Sequence, residues 1–256
     1  MKPLRHMKKQ EQQIEELFGG SFVENKPIAF PSNAVTTAYS NIFYWAHLEA
    51  FKTDEFPLHP HQGFEIVTFV LKGVVEHYDT VSKKWTPLRA GDIQVIQAAS
   101  GVKHAERIQE GSELFQIWFD PNMEVSLKQP PTYKDYSANM FKYEKVSDNC
   151  QKLFYMRQDG AVAHITEGLE VAKIKLNAGA YKEDLDRDAV YSYYILSGVL
   201  HMNGSLCEKD DFIIFKKCDS IEYQTKEATE VFVIKSPKSV TYGRFIERYE
   251  NAELFS

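Results

Sequence analysis

Short runs of alternating apolar and polar residues recur along this chain. Before residue 120 they cover 21–30, 41–48, 64–72, 74–79, 92–97, 102–108 and 113–119. After residue 150 they resume at 152–157, 169–176, 190–197, 199–203, 211–215, 221–225 and 230–235. A period of two sends residues i and i+2 to the same face, the signature of a half-buried strand. Lys72-Gly73, Ala90-Gly91 and Ser100-Gly101 punctuate the first set, as turns between short strands do. Strands this short and this dense predict a sandwich or barrel. A 3.6-residue pattern occurs only at the margins. Residues 8–18 read as a short amphipathic helix ended by Gly19-Gly20, and 239–253 as a second helix.

The stretch 120–150 interrupts the alternation with Asp120-Pro121-Asn122 and Gln129-Pro130-Pro131. It divides the chain into a domain at 1–128, a linker at 129–150 and a second domain at 151–256. The halves share two strings. Leu71-Lys72-Gly73-Val74-Val75 matches Leu196-Ser197-Gly198-Val199-Leu200, and Gly91-Asp92-Ile93-Gln94-Val95-Ile96 matches Asp210-Asp211-Phe212-Ile213-Ile214-Phe215, at offsets of 125 and 119. A duplicated β barrel explains both matches.

Composition narrows the classes. With 256 residues and 43% hydrophobic content the chain can bury a sizeable core, and its 14 Tyr, 17 Phe and 3 Trp sit in the alternating runs, which favours strands. A net charge of −6 leaves no basic face for a phosphate backbone, so direct nucleic-acid binding is not expected. Three cysteines without a CxxC argue against a disulfide framework and for a reducing compartment. The first residues lack a secretory apolar run, and no stretch approaches the roughly 18 apolar residues of a membrane helix. A cytoplasmic protein with no membrane partner is expected.

Two segments carry chemistry. One is His59-Pro60-His61-Gln62-Gly63-Phe64-Glu65; the other is Gly101-Val102-Lys103-His104-Ala105-Glu106. If both are strands, His59 and His61 share one face and His104 and Glu106 another, and three nitrogens with one oxygen at one point make a metal site. A lone histidine in a strand is more often a polar residue with a hydrogen bond. His6, His47, His77, His164 and His201 take that reading. Glu65 has the parity of His59 and His61, so it stands as an outer partner or a competing ligand. Phe43, Phe64, Phe69 and Trp118 are candidate pocket walls, although aromatic strand residues are more often core. Adding the two offsets carries His59 and His61 to Asp184 and Asp186, and His104 and Glu106 to Tyr223 and Thr225. The second copy then lacks every imidazole, with Asp184 and Asp186 on a solvated acidic loop.

The stretch 59–106 resembles the pirin branch of the cupin superfamily. The resemblance rests on the two segments above, on Leu71-Lys72-Gly73, Gly91-Asp92-Ile93-Gln94 and Ala98-Ala99-Ser100, and on Pro130-Pro131 with Tyr133. It implies an all-β fold of two tandem cupin (double-stranded β-helix, or jelly-roll) barrels with a few short helices, and metal in the N-terminal barrel only. The implied ligands are His59, His61, His104 and Glu106, around one divalent transition metal. The family points to iron, while the ligand chemistry also suits Ni, Cu, Mn or Zn. The implied activity is dioxygenation of a small oxygen-bearing aromatic, of the quercetin type, by O2, with Glu106 as a hemilabile ligand that takes the substrate hydroxyl proton. The alternative is a non-enzymatic redox or metal sensor that binds a protein partner. The chain departs from the family pattern at Ala99-Ser100-Gly101, where an arginine is usual, at Arg107 and in 41–47. These departures spare the ligands and leave substrate and partner preference undetermined.

Overall fold

The computed structural model describes residues 5–29 and 38–247. The fold is all-β, as the alternation predicts. The chain forms two compact units. The N-terminal unit comprises Gln13–Met140, Ala163–Thr166 and the described residues from Val240 onward; the C-terminal unit comprises the residues up to Gln12, Phe141–Val162 and Glu167–Ser239.

The first strand, β1 (Arg5–Met7), belongs to the C-terminal unit. The N-terminal unit is built from β2 (Gln13–Leu17), β3 (Phe22–Ile28), β4 (Ile42–Ala50), β5 (Asp54–His61), β6 (Glu65–Lys72), β7 (Val74–Asp79), β8 (Trp85–Arg89), β9 (Ile93–Gln97), β10 (Val102–Ile108), β11 (Glu113–Phe119) and β12 (Thr132–Tyr136). Seven of them form one antiparallel sheet in the order β12-β9-β6-β11-β4-β3-β2, and four form another in the order β5-β10-β7-β8. Val70 of β6, Leu48 of β4 and Phe22 of β3 meet Val75 of β7, Leu88 of β8 and Ile108 of β10 in one buried cluster, so the two sheets close on a shared core. A further cluster joins Phe43, Phe64, Ile66, Ile96 and Val102.

The C-terminal unit repeats this plan with β13 (Tyr143–Ser147), β14 (Cys150–Met156), β15 (Glu170–Leu176), β16 (Gly179–Asp184), β17 (Ala189–Ser197), β18 (Leu200–Met202), β19 (Ser205–Cys207), β20 (Phe212–Lys216), β21 (Ser220–Thr225) and β22 (Thr229–Pro237). Its sheets run β1-β20-β17-β22-β15-β14-β13 and β16-β21-β18-β19. Strand for strand this is the order of the first unit. The duplication inferred from two short strings therefore extends to the topology. Cys150, Cys207 and Cys218 are buried and form no disulfide.

The repeated strings have physical work in common. Gly73 (φ +76°) and Gly198 (φ +79°) make the tight turns that join β6 to β7 and β17 to β18. A Cβ at either would collide with Ser112 Oγ or Thr229 Oγ1, so both positions need glycine for space as well as for dihedral angle. Asp92 and Asp211 act alike as clamps. Asp92 accepts from the Arg89 and Ala138 amides, both at 2.8 Å. Asp211 accepts from the Glu208 amide at 2.9 Å and from Lys8 Nζ at 2.9 Å, with His6 Nε2 also at 2.9 Å.

Some expectations need correction. Residues 8–18 are not a helix. Lys9–Glu11 is a single 3-10 turn and Gln13–Leu17 is β2, paired with β3. Ladder pairing outweighs the helical propensity of Gln and Glu here. Residues 129–150, read as a linker from their prolines, contain β12, which pairs along β9 from Thr132 opposite Gln97 to Tyr136 opposite Ile93, and β13. Pro130 and Pro131 precede that strand, where no ladder donor is required. The helix expected at 239–253 lies partly outside the described residues. Of that segment, 239–247 are described, and only 245–247 are helical; the other α-helix among the described residues is α1 (Met123–Ser126), and no helix there is long and apolar enough to cross a membrane.

Asp211 generates the first prediction. Burial pushes its pKa up, but hydrogen bonds from His6, the Glu208 amide and Lys8, with the charge of Lys8, hold it below the ordinary value. A depressed carboxylate contributes stability above its unfolded pKa of about 3.9, and that contribution is lost as pH falls through the folded value. Asp211→Asn is expected to cost about 1–3 kcal/mol at pH 7, and urea titrations should show the gap to wild type closing below about pH 4.

Candidate metal centre

The centre is assembled by β5 and β10. β5 is an edge strand, which is why it tolerates Pro57 and Pro60, residues that cannot donate to a ladder. Its pairing with β10 sets His61 opposite Val102 and His59 opposite His104, and then Phe56 opposite Glu106. Three steps along β5 thus match two along β10. This β-bulge turns His59 and His61 toward the face from which His104 projects. The three rings form a tight group, with centroids 4.3 Å apart for His59 and His104, 4.8 Å for His61 and His104, and 4.9 Å for His59 and His61. One ligand nitrogen from each lies within 4.8 Å of the others.

The electrostatics suit a cation. His59 Nδ1 lies 2.8 Å from the Pro57 carbonyl, to which it donates, so Nε2 is the nitrogen left for a cation. The Nε2 atoms of His61 and His104 are buried without a protein partner. Burial lowers the pKa of His61 to about 3, with the neighbouring His59 adding to the effect, and burial likewise takes His104 well below the usual histidine range. Neutral imidazoles with unpartnered Nε2 atoms aimed at one point are what a divalent metal requires, so these residues fit the group.

Glu106 is on the same side but not in that cluster. Both its oxygens accept from Gln116 Nε2 of β11 at 3.0 Å. It is buried, and burial raises its pKa to about 7 against the lowering effect of that hydrogen bond. A cavity of about 220 Å³ opens beside the imidazoles, lined in part by His59, His61, Glu106, Phe56, Gln116 and Trp118. Tyr44 stacks on Trp118 at 4.2 Å and donates to Glu24 at 3.3 Å. Lys26, also on the wall, sits between Glu15 at 2.6 Å and Glu24 at 2.7 Å.

Of the candidate walls only Trp118 reaches this cavity. Phe64 lies behind it, stacked on Trp118 at 5.1 Å and edge-on to His61 at 5.4 Å, and Phe43 packs on Phe64. Phe69 is core.

Glu65 is turned elsewhere. Its carboxylate accepts from Gln97 Nε2 at 3.2 Å, from the Ile165 and Thr166 amides at 2.8 and 2.9 Å, and from the Thr166 hydroxyl. The parity argument fails because residues 62–64 are a turn, with Gly63 at φ +92°, so alternation does not carry from His61 to Glu65. Burial raises the Glu65 pKa and these hydrogen bonds oppose the rise.

The C-terminal unit keeps the frame without the chemistry. There β16 and β21 pair without a bulge. Glu106 faces Phe56 and His77, and its counterpart is Tyr223, which faces Tyr181 and Met202. Counting back two residues puts Ile221 at the place of His104, and its partner Glu183 at that of His59. Asp184, Asp186 and Thr225 are therefore not the counterparts that fixed offsets give, since the bulge and a shorter turn shift the register. Asp184 and Asp186 are exposed, as expected of an acidic loop.

Comparison with known proteins agrees with this geometry. The pirin family model matches residues 33–119. Residues 33–119 form a pirin domain. A relative in Pseudomonas aeruginosa, named provisionally as a quercetin 2,3-dioxygenase, is 28% identical over 75% of this chain and 84% of its own length. A pirin-like protein of Caulobacter vibrioides is 39% identical over 32% of this chain and 38% of its own. Among solved structures, the bacterial pirin YhhW of Escherichia coli in complex with nickel(II) superposes with a TM-score of 0.77 at 20% identity, covering 92% of this chain and 99% of that one. At that identity the likeness concerns the pirin fold alone, two tandem cupin barrels. The candidate centre lies in the pirin-matched segment and suggests a single metal.

Sequence reasoning missed His77, the Gln116 that holds Glu106, and the Tyr44 behind Trp118. His77 is wholly buried on β7 with Nε2 2.9 Å from His104 Nδ1. Only the pairing of β7 with β10 shows this, and no spacing in the chain encodes it.

The Glu65 network can be separated from the centre. Glu65→Gln puts an amide against donors and is expected to cost about 1–3 kcal/mol. A lowered thermal midpoint with unchanged metal content by elemental analysis is the expected pair of results.

Proposed function

We propose that this protein is a metal-dependent dioxygenase of the quercetinase type, acting with O2 on a small aromatic that presents adjacent oxygens. On this reading His59, His61 and His104 hold one divalent metal through their Nε2 atoms, with iron as the resident ion, and Glu106 is the fourth ligand. The observation that carries the reading is the cluster of three imidazoles, two of them with buried, unpartnered Nε2 atoms, beside a cavity walled by Trp118 and Phe56. Relatives named quercetin 2,3-dioxygenases support the flavonol class.

The chain's own groups have distinct tasks. Trp118, held by stacking on Tyr44 and Phe64, gives the cavity a rigid aromatic wall. Glu106 lies within the cavity wall and accepts the proton of the substrate hydroxyl, while Gln116 holds both carboxylate oxygens until then. Tyr44 and Glu24 form a polar end where further hydroxyls can bind. A bound metal would supply Lewis-acid polarisation of the substrate oxygens and one-electron redox chemistry.

The rival reading, a metal-responsive regulator with a protein partner, has no need of a cavity beside the imidazoles, so the presence of one favours the enzyme.

Two measurements test the proposal. His61→Ala should lose bound metal by more than the roughly tenfold to hundredfold that outer partners control, while circular dichroism and thermal midpoint stay near wild type. Full occupancy in that variant refutes the ligand assignment. Protein loaded with Fe(II), Mn(II), Ni(II) or Cu(II) should consume O2 in the presence of a flavonol. Metal binding without O2 uptake for every ion removes the dioxygenase and leaves the regulator.

A further inference from the structure

The bond between His77 and His104 has a consequence for metal capture. A hydrogen bond between two ring nitrogens 2.9 Å apart holds a single hydrogen, and either ring can carry it. If His77 Nε2–H is the donor, His104 Nδ1 is the acceptor, and the remaining hydrogen of a neutral His104 sits on Nε2. That nitrogen then has no lone pair for a cation. If His104 Nδ1–H is the donor, His104 Nε2 is free to bind, and His77 carries its hydrogen on Nδ1. His77 is thus the group that decides which form of His104 prevails.

The surroundings hold His77 in place for this role. It lies on β7, directly opposite Glu106 in the pairing with β10, and has no exposed surface. Its ring stacks flat on Tyr133 of β12, with centroids 5.0 Å apart and planes within 9°. Tyr133 is anchored in turn, donating to Asp135 and accepting from Gln94 Nε2 at 3.1 Å. The Nδ1 of His77 is buried without a protein partner, so its hydrogen is unpaired in the ligating form, as the His104 Nε2 hydrogen is in the other, and a cation at His104 Nε2 tips this balance to the ligating form.

We propose that His77 is a positioning residue for the metal centre: its Nε2 accepts from His104 Nδ1–H, selects the tautomer that can ligate, and thereby sets metal affinity. The inference rests on the reading of His59, His61 and His104 as ligands. It assigns a role to a residue that contacts neither metal nor substrate. Outer partners of ligating histidines typically control 10–100-fold in affinity, and a ring confined to the competent form avoids the population penalty of sampling both.

The test uses the full chain and Zn(II), a diamagnetic probe. In zinc-loaded wild type, 15N-histidine NMR should show His104 protonated on Nδ1 and metal-bound at Nε2, with His77 protonated on Nδ1 and bare at Nε2. Chelator competition should show His77→Phe, which keeps an aromatic ring against Tyr133, binding Zn(II) about 10–100-fold more weakly. His77→Gln, whose side-chain oxygen can accept, should recover most of that loss. A proton on His77 Nε2 in the zinc-loaded protein, or equal affinity in wild type and His77→Phe, overturns the proposal. Should His77→Phe fail to fold, the wild-type spectrum alone decides. A wild type that takes up no Zn(II) removes the ligand reading itself, a result distinct from a wild type that binds and a variant that binds equally.

Discussion

The one extra residue in β5 between Phe56 and His59 governs the chemistry of this molecule. Without that bulge a regular ladder would run straight through, as it does between β16 and β21. With it, His59 stands opposite His104 and His61 one pair further on, so three rings from two neighbouring strands close on one point. The prolines on either side belong to the same constraint. They limit the backbone freedom of an edge strand that has no ladder partner on its outer side, and the Pro57 carbonyl orients the ring of His59. The proposed metal site needs its donors held before an ion arrives, and main-chain pairing does the holding.

The duplicated frame shows how little of a barrel its chemistry occupies. Both units use the same strand order, the same glycine turn after the sixth and seventeenth strands, and the same aspartate clamp. In one, the facing strands carry histidines and a glutamate around a cavity. In the other, Ile221, Tyr223 and Met202 fill the corresponding positions as part of an apolar cluster. Side chains placed on a common scaffold, and not the scaffold, separate a histidine-lined polar interior from a packed one.

The polar interior is costly to bury. His77, His104, Glu65 and Glu106 have almost no exposure, and burial is the leading cause of every pKa shift among them. Each is compensated by a specific partner: His77 with His104, Glu106 with Gln116, and Glu65 with two backbone amides and a hydroxyl. Polar groups in a low-dielectric site are tolerable only when joined in this way, and the joining makes the site rigid. Glu24, Lys26 and Tyr44 extend the network along β3 and β4, beyond the matched family segment in the case of β3.

Much was legible in the chain alone because it is local. Alternation of period two reports which residues share a face, turn glycines mark where strands end, and an HxH with a second His-x-Glu states a ligand chemistry irrespective of partners. The all-β duplicated architecture and the three histidines followed from these. What the chain could not disclose is register, because hydrogen-bond pairing joins residues that are distant in sequence. The bulge in β5, the helix-like 8–18 drawn into a strand, the turn that carries Glu65 away from the cavity, and His77 brought against His104 are all decisions of that kind. Each depends on which strand lies beside which and at what offset, and only folding in three dimensions sets that.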